Sequence, residues 1–266
     1  MDLSKSVADG RLPGVVTLIA RGDDVDVAVA GPYRRDTIFR LASITKPITA
    51  AAVMLLIEDG RIGLDDAVDK WLPELGDPQV VRTPESPVDD VVPAARAVTV
   101  FDLLTSRAGY GFAPRFELPA VHAFGDVMGW DGRQVQDPPP PDEWMARLAT
   151  IPMAAQPGEA FLYHAASDLQ GVLVSRVSGQ SLPDFLHERV FEPLGMVDTD
   201  FWVTPDRIDR LPGYYRSGLD LVDPAEGLWS RPPAFPSGGG AWSPRRTTGC
   251  ASAVRCSRTR CSRASP

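Results

Sequence analysis

The stretch Ser43-Ile-Thr-Lys-Pro-Ile-Thr-Ala-Ala-Ala-Val-Met-Leu-Leu-Ile-Glu-Asp-Gly60 is the most informative part of this chain. It is rich in Ala and Leu and stops at a glycine, which predicts a helix beginning at or just before Ser43. Pro47 fits this start, because a proline in the first turn lacks only an N–H that would have no partner there. The segment is apolar nearly all round, so we expect the helix to be buried.

Ser43 and Lys46 are one helical turn apart, so their side chains should point from the same face. A serine hydroxyl is a poor nucleophile near neutral pH and needs an adjacent base. A lysine amine can act as that base only if burial or neighbouring charge lowers its pKa from about 10.4. An exposed Ser and Lys in a first helical turn is the alternative interpretation. The chain has three lysines (Lys5, Lys46, Lys70) against 24 arginines, which favours a position that requires an amine able to lose its proton.

Several stretches match one known family in the order in which that family has them. Phe39-Arg-Leu-Ala-Ser-Ile-Thr-Lys-Pro-Ile-Thr-Ala-Ala51 resembles the first motif of the serine β-lactamase and penicillin-binding protein superfamily, on its class C and family VIII esterase side. The serine of that motif is the nucleophile and corresponds to Ser43. Further stretches with family-like sequence are 60–75, 99–110, 156–165 and 191–199.

The resemblance implies an α+β fold (an α/β sandwich), in which helices flank an antiparallel sheet and a mostly helical domain is inserted. Residues 1–242 are then expected to form an incomplete β-lactamase-like domain. Within it, 1–60 would supply strands and the nucleophile helix, and 61–200 a mostly helical part with long loops. The family's C-terminal strands are missing and should lie beyond residue 266.

The residue pattern also predicts individual elements. Apolar runs on either side of Arg21-Gly-Asp-Asp24 predict a hairpin of strands at 14–20 and 25–30. Residues 76–98 and 110–142 are rich in Pro and Gly and are expected to be long loops at the rim of a substrate cleft. Helices are predicted at 142–149, 166–178 and 182–190.

The second family motif places a tyrosine opposite the nucleophile, and Tyr163-His164-Ala165 occupies that position. The resemblance implies that Tyr163 takes the proton of Ser43, with Lys46 stabilising the phenolate, and later passes it to the leaving group. A core tyrosine is the alternative interpretation. Ala165 departs from the family pattern, since the β-lactamases usually carry an amide there that holds the substrate's side-chain carbonyl. This difference favours ester over lactam hydrolysis.

The resemblance therefore implies a serine hydrolase that acts through an acyl-enzyme on a carboxylic ester, with Ser43, Lys46 and Tyr163 as catalytic residues. A β-lactamase and a D-amino-acid peptidase are alternatives. The Ser43 backbone N–H would supply half of an oxyanion hole. The family's third motif, a Lys-Thr-Gly-like or Trp-Gly-Gly-like strand edge, is not found in the sequence. A non-catalytic or inactive relative is therefore a further alternative.

Other polar residues give no second site. His164 is expected to be an ordinary polar loop residue, and His122 and His187 are isolated. Asp65-Asp66 lacks the glycine-rich loop of a calcium site, and Gly238-Gly239-Gly240 is not followed by the Lys-Ser/Thr of a phosphate loop. We expect no cofactor and no metal.

The tail at 243–266 differs in composition from the rest of the chain. It holds all three cysteines and six arginines but no Asp, Glu, Lys, Leu or Ile, so it is expected to be disordered. A basic arm for nucleic acid and a small metal site are two interpretations, although the cysteine spacing matches no common zinc pattern. Shifting the codon frame by one base permits Leu-Val-Ser-Thr-Ala-Asp-Asp, which resembles the segment after the family's glycine loop. We therefore expect a frameshift near Gly240 and an out-of-frame tail.

The charge balance limits the partners. The net charge is −8, and without the six tail arginines the remaining chain carries about −14. An acidic body argues against nucleic-acid binding, which needs a basic face. The chain opens without a signal-peptide pattern and has no apolar run of roughly 18 residues. We expect a cytoplasmic protein, not bound to a membrane, that takes a small-molecule ester or lactam.

Overall fold

A computed structural model describes residues 3–129, 137–216 and 219–240. The predicted tail at 243–266 lies outside these residues. The chain divides into two compact units, one formed by its residues up to Leu41 with His187–Pro233, and the other by Ala42–Leu186 with the stretch that starts at Ala234. Helices and short antiparallel strands occur together, which confirms the predicted α+β class.

The elements follow one another along the chain with helices in the majority. The helices are α1 (Leu3–Ala8), α2 (Thr45–Glu58), α3 (Val100–Leu104), α4 (Pro119–Val127), α5 (Pro141–Leu148), α6 (Ala165–Ser178) and α7 (Leu182–Leu186). The strands are β1 (Val15–Arg21), β2 (Asp24–Ala30), β3 (Gln79–Val81), β4 (Val91–Pro93), β5 (Tyr214–Tyr215) and β6 (Leu221–Asp223).

The first unit contains the predicted hairpin. Strands β1 and β2 pair antiparallel from Val15↔Ala30 to Arg21↔Asp24. Two residues join them, and the first, Gly22, has a φ of 59°, which glycine adopts without the steric cost of a side chain. The same unit holds the antiparallel pair β5–β6 and a π-helical turn at His187–Phe191.

The second unit is organised around the packing of α2 against α6. Helix α6 is buried along most of its length, because most of its residues are small or apolar. Helix α2 is buried on one face only, since Met54 is 49% exposed. The prediction that α2 is buried all round is therefore wrong. The buried positions of α2 are Thr49, Ala52, Val53 and Leu56, which share one helical face.

The predicted helices at 142–149 and 166–178 are confirmed as α5 and α6. The helix predicted at 182–190 is shorter, because regular α-helix ends at Leu186. Both predicted long loops contain regular structure: 76–98 includes the antiparallel pair β3–β4, and 110–142 includes α4. Helix α4 was missed because Pro119 was interpreted as a loop residue, whereas it occupies the first helical turn, where proline is tolerated. In the described part of the chain, no helix is both long and apolar enough to cross a bilayer.

Candidate active site

Ser43 lies in a tight turn that leads into helix α2. The turn is a 3-10 helix, Ala42–Ile44, and α2 begins at Thr45, so the α-helix starts two residues later than predicted. Ala42 has a φ of 46°, a left-handed conformation that is uncommon for a residue with a Cβ. Ser43 and Lys46 still share one face, and Lys46 Nζ donates a hydrogen bond to Ser43 Oγ at 3.1 Å.

Tyr163 reaches the same hydroxyl from the start of α6. Its Oη donates a hydrogen bond to Ser43 Oγ at 2.7 Å. Two hydrogen bonds fix the backbone of Tyr163 to that of Phe112. The N–H of each residue donates to the carbonyl of the other, and both bonds are 2.8 Å long. The structure therefore brings Ser43, Lys46 and Tyr163 together around a single oxygen atom.

The residue after Tyr163 has a strained backbone. His164 has a φ of 87° and a ψ of −64°, and the Ala165 N–H lies 3.3 Å from the Tyr163 carbonyl. These values define the rare γ-turn with positive φ. A non-glycine residue in such a conformation costs on the order of 1–3 kcal/mol and persists only where the surroundings enforce it. The turn lies between Tyr163, whose backbone pairs with Phe112, and the first residue of α6.

Lys46 is enclosed by acceptors and by an aromatic ring. Its Nζ donates to the Gly239 carbonyl at 2.6 Å, lies 3.3 Å from His164 Nδ1, and sits 4.6 Å from the centre of the Tyr163 ring. Burial lowers the pKa of Lys46, and the charges of Tyr163 and Asp168 oppose that effect only in part. The net shift favours the neutral amine that a base requires.

The loop at 238–240 packs closely against both central helices. Thr49 Oγ1 donates to the Gly238 carbonyl at 2.8 Å, and the Gly239 N–H donates to Asp168 Oδ1 at 2.9 Å. A Cβ on Gly238 would lie 2.2 Å from the Ser167 carbonyl oxygen, and one on Gly240 would lie 2.0 Å from that of Ala42. The glycines allow the loop to come close enough for a backbone carbonyl to contact Lys46.

Replacing Gly238 by alanine is expected to lower the free energy of unfolding by about 1–3 kcal/mol, because the added Cβ must displace backbone. Denaturant-induced unfolding measures the change. Gly63→Ala is the matched control, since its nearest neighbouring atom would be 3.6 Å away, an ordinary contact. Equal changes in the two variants would contradict the packing assigned to this loop.

A histidine–carboxylate pair lies behind Lys46. His164 Nε2 is 3.1 Å from Asp168 Oδ2, and the two side chains are 1% and 0% exposed. Burial alone would raise the pKa of Asp168, but the close contact with His164 and the hydrogen bonds from Ser237 and Gly239 hold it below its usual value. The prediction that His164 is an ordinary polar loop residue is wrong, because the ring is buried against Lys46 and Asp168.

The sequence did not indicate that three residues surround Lys46 or hold its neighbours in place: His164, Asp168 and Gly239. A signal for the first two was present. An Asp four residues after a His, within a segment otherwise apolar and small, places two polar side chains on one buried helical face. Among the described residues, no group of three His, Cys, Asp or Glu side chains could hold a metal ion.

The fold and the geometry define a class of site: a serine in the turn that leads into a helix, with a lysine and a tyrosine hydrogen-bonded to its hydroxyl. The chain belongs to the Beta-lactamase family, whose model matches residues 2–247. It is 36% identical over 252 residues to Protein Rv1367c of Mycobacterium tuberculosis, covering 88% of this chain and 60% of that protein. It is 32% identical over 262 residues to Esterase EstB of Burkholderia gladioli, covering 88% of this chain and 63% of that enzyme.

A solved structure with the same fold is that of EstCE1, described as a hydrolase with promiscuous acyltransferase activity. It superposes with a TM-score of 0.70 at 27% identity, covering 89% of this chain and 65% of EstCE1. The chain thus spans less than two thirds of the length of these relatives.

Proposed function

We propose that this protein is a serine hydrolase that forms an acyl-enzyme on Ser43 and acts on carboxylic esters. The observation that carries the proposal is the position of Ser43 Oγ, 3.1 Å from Lys46 Nζ and 2.7 Å from Tyr163 Oη. Both distances are within the range required for proton transfer to or from a nucleophile.

In the acylation step, Ser43 Oγ bonds to the ester carbonyl carbon while its proton passes to the neutral amine of Lys46. The carbonyl electrons move onto oxygen, and the Ser43 backbone N–H supplies one donor to that oxyanion. When the intermediate collapses, the bond to the alcohol oxygen breaks and the leaving alkoxide takes a proton from Tyr163 Oη. The Lys46 ammonium, beside the tyrosine, returns a proton to the phenolate. Both side chains then regain their starting protonation states.

Deacylation uses the same groups in reverse. A water attacks the acyl carbon as its proton passes to the Lys46–Tyr163 pair, and the acid is released when Ser43 Oγ leaves with a proton. An alcohol in place of that water would give transfer of the acyl group, the second activity named for the relative EstCE1.

Esters are favoured over lactams by the residue at the start of α6. Ala165 is buried and cannot donate the hydrogen bond that an amide would supply to a lactam side chain. The name of the relative EstB, an esterase, agrees with this preference. The partner we propose is therefore a small ester rather than a nucleic acid, which the negative charge of the chain disfavours.

Replacing Tyr163 by phenylalanine tests the proposal. We expect kcat for ethyl butyrate hydrolysis to fall by about 10²–10³-fold, because the ethoxide leaving group loses its proton donor while the ring still packs beside Lys46. Tyr110→Phe is the control, since Tyr110 is a buried tyrosine whose Oη donates a long hydrogen bond of 3.4 Å to the Ile151 carbonyl, away from Ser43.

Absence of ester turnover by the unsubstituted protein, or equal turnover by the two variants, would count against the assignment. Faster turnover of the lactam nitrocefin than of the ester would favour the β-lactamase alternative.

A further inference from the structure

Among the described residues, the ammonium of Lys46 has three hydrogen-bond acceptors within reach, which equals its number of N–H groups. They are Ser43 Oγ at 3.1 Å, the Gly239 carbonyl at 2.6 Å and His164 Nδ1 at 3.3 Å. A neutral amine keeps two N–H groups and one lone pair. If the two N–H groups remain on Gly239 and His164, the lone pair faces the hydroxyl proton of Ser43. The two acceptors that do not react therefore determine where the base points.

Asp168 holds both of these acceptors in place. Its Oδ1 accepts hydrogen bonds from Ser237 Oγ at 2.6 Å and from the Gly239 N–H at 2.9 Å. Its Oδ2 lies 3.1 Å from His164 Nε2, within ion-pair distance, and makes no hydrogen bond in the described part of the chain. One buried carboxylate thus fixes the glycine whose carbonyl contacts Lys46 and the imidazole whose second nitrogen contacts Lys46.

We propose that His164 and Asp168 are positioning residues, which aim the lone pair of Lys46 at Ser43. This inference rests on the proposed function. Asp168 holds the proton of the neutral imidazole on Nε2, so Nδ1 presents its lone pair to Lys46. The opposite tautomer would direct an N–H at the lysine amine and turn its lone pair away from Ser43.

The surroundings support this assignment of the proton. Among the described residues, the titratable groups that face His164 include Lys46 from α2, Asp168 from α6 and the adjacent Tyr163, while Gly239 of the loop at 237–240 contributes uncharged atoms. The strained backbone of His164 aims its ring between the lysine and the carboxylate. A Cβ on Gly239 would lie 3.0 Å from His164 Cε1, so the loop closes directly over the ring.

The tautomer of His164 can be measured without any turnover. The chain has three histidines, so ¹⁵N-labelled protein at about pH 8, above the ordinary pKa of histidine, gives few ring signals to assign. We expect His164 to carry its proton on Nε2, as shown by two-bond ¹H–¹⁵N correlations. A proton on Nδ1, or a doubly protonated ring at this pH, would overturn the proposal whether or not the protein is active.

Replacing Asp168 by asparagine tests the consequence for Ser43. The amide oxygen should take the Oδ1 position, which receives two donors, so the NH₂ group faces His164 Nε2 and drives the ring proton to Nδ1. We expect Ser43 labelling by a fluorophosphonate to slow by about 10²-fold, with His164 in the changed tautomer. The control is Asp126→Asn. Asp126 also lies four residues after a histidine, and its Oδ2 is 3.4 Å from His122 Nδ1, but both side chains are exposed. A changed tautomer with an unchanged labelling rate would overturn the proposal.

A second pair of variants covers the possibility that the asparagine at 168 prevents folding. His164→Asn keeps an acceptor near the Nδ1 position and His164→Gly removes it, and both residues tolerate positive φ. We expect H164N to keep the labelling rate within about tenfold, and H164G to lose about 10²-fold while its circular dichroism stays native. Equal rates in the two folded variants would show that His164 has only a structural role.

The two proposals fail differently. If the unsubstituted protein does not label at Ser43, the hydrolase assignment fails. The position of the proton on the His164 ring then still tests whether Asp168 holds it on Nε2.

Discussion

Replacing Ser43 by alanine is expected to abolish ester hydrolysis, with a loss of about 10⁶-fold in kcat, the size found when a serine nucleophile is removed from another serine hydrolase. Lys46 and Tyr163 both converge on the oxygen that this change deletes. The same variant should not react with a fluorophosphonate, which phosphonylates an activated serine. Steady-state rates with p-nitrophenyl butyrate and intact mass after probe treatment measure the two losses.

The control for this substitution is Ser175→Ala. Ser175 lies on α6 and its Oγ donates to the Gly171 carbonyl within the same helix, so its loss should leave the rate within about twofold. If the S43A variant keeps a measurable fraction of the wild-type rate, the nucleophile lies elsewhere, and the site described around Ser43 is then structural.

Replacing Lys46 by arginine is expected to lower kcat/KM by about 10²–10⁴-fold at neutral pH. Arginine keeps the positive charge but does not lose its proton in proteins, so it cannot accept the proton of Ser43. The effect therefore separates the role of a base from that of a fixed charge. Initial rates for ester hydrolysis across a pH series measure it.

The sign of the pH dependence follows from the pKa of Lys46. Burial lowers that pKa, so the neutral amine is populated at a lower pH than in an ordinary lysine, and the rate of the unsubstituted protein should rise through this lowered pKa. The arginine variant should show no rise at that pH. Lys70→Arg is the control, because Lys70 is exposed and lies over the Trp71 ring, where arginine can also stack. A parallel rise in the rate of K46R would exclude Lys46 as the base.

Much of the site could be predicted because its chemistry is local. Ser43 and Lys46 are held by one stretch of backbone, so their spacing predicts their contact, and the resemblance placed Tyr163 opposite them. The α+β class, the β1–β2 hairpin and helices α5 and α6 likewise follow from short-range patterns of apolar residues.

The rest depends on contacts between distant residues. Gly239 meets Lys46 across 193 positions of sequence, and no local pattern encodes that approach. His164 was interpreted as a loop residue because a positive φ cannot be read from a single histidine, and this conformation is what turns its ring towards Lys46. Helix α4 was missed because composition alone does not distinguish a proline in a first helical turn from a proline in a loop.

The most direct test of the account is to trap the acyl-enzyme. The protein is mixed with p-nitrophenyl butyrate, quenched in acid within the first turnover, and examined by intact mass and then by peptide mass spectrometry. The account predicts a mass increase of one butyryl group, located on Ser43 and absent from the S43A variant. Ester turnover with no adduct on any peptide, or with an adduct on a residue other than Ser43, would contradict it.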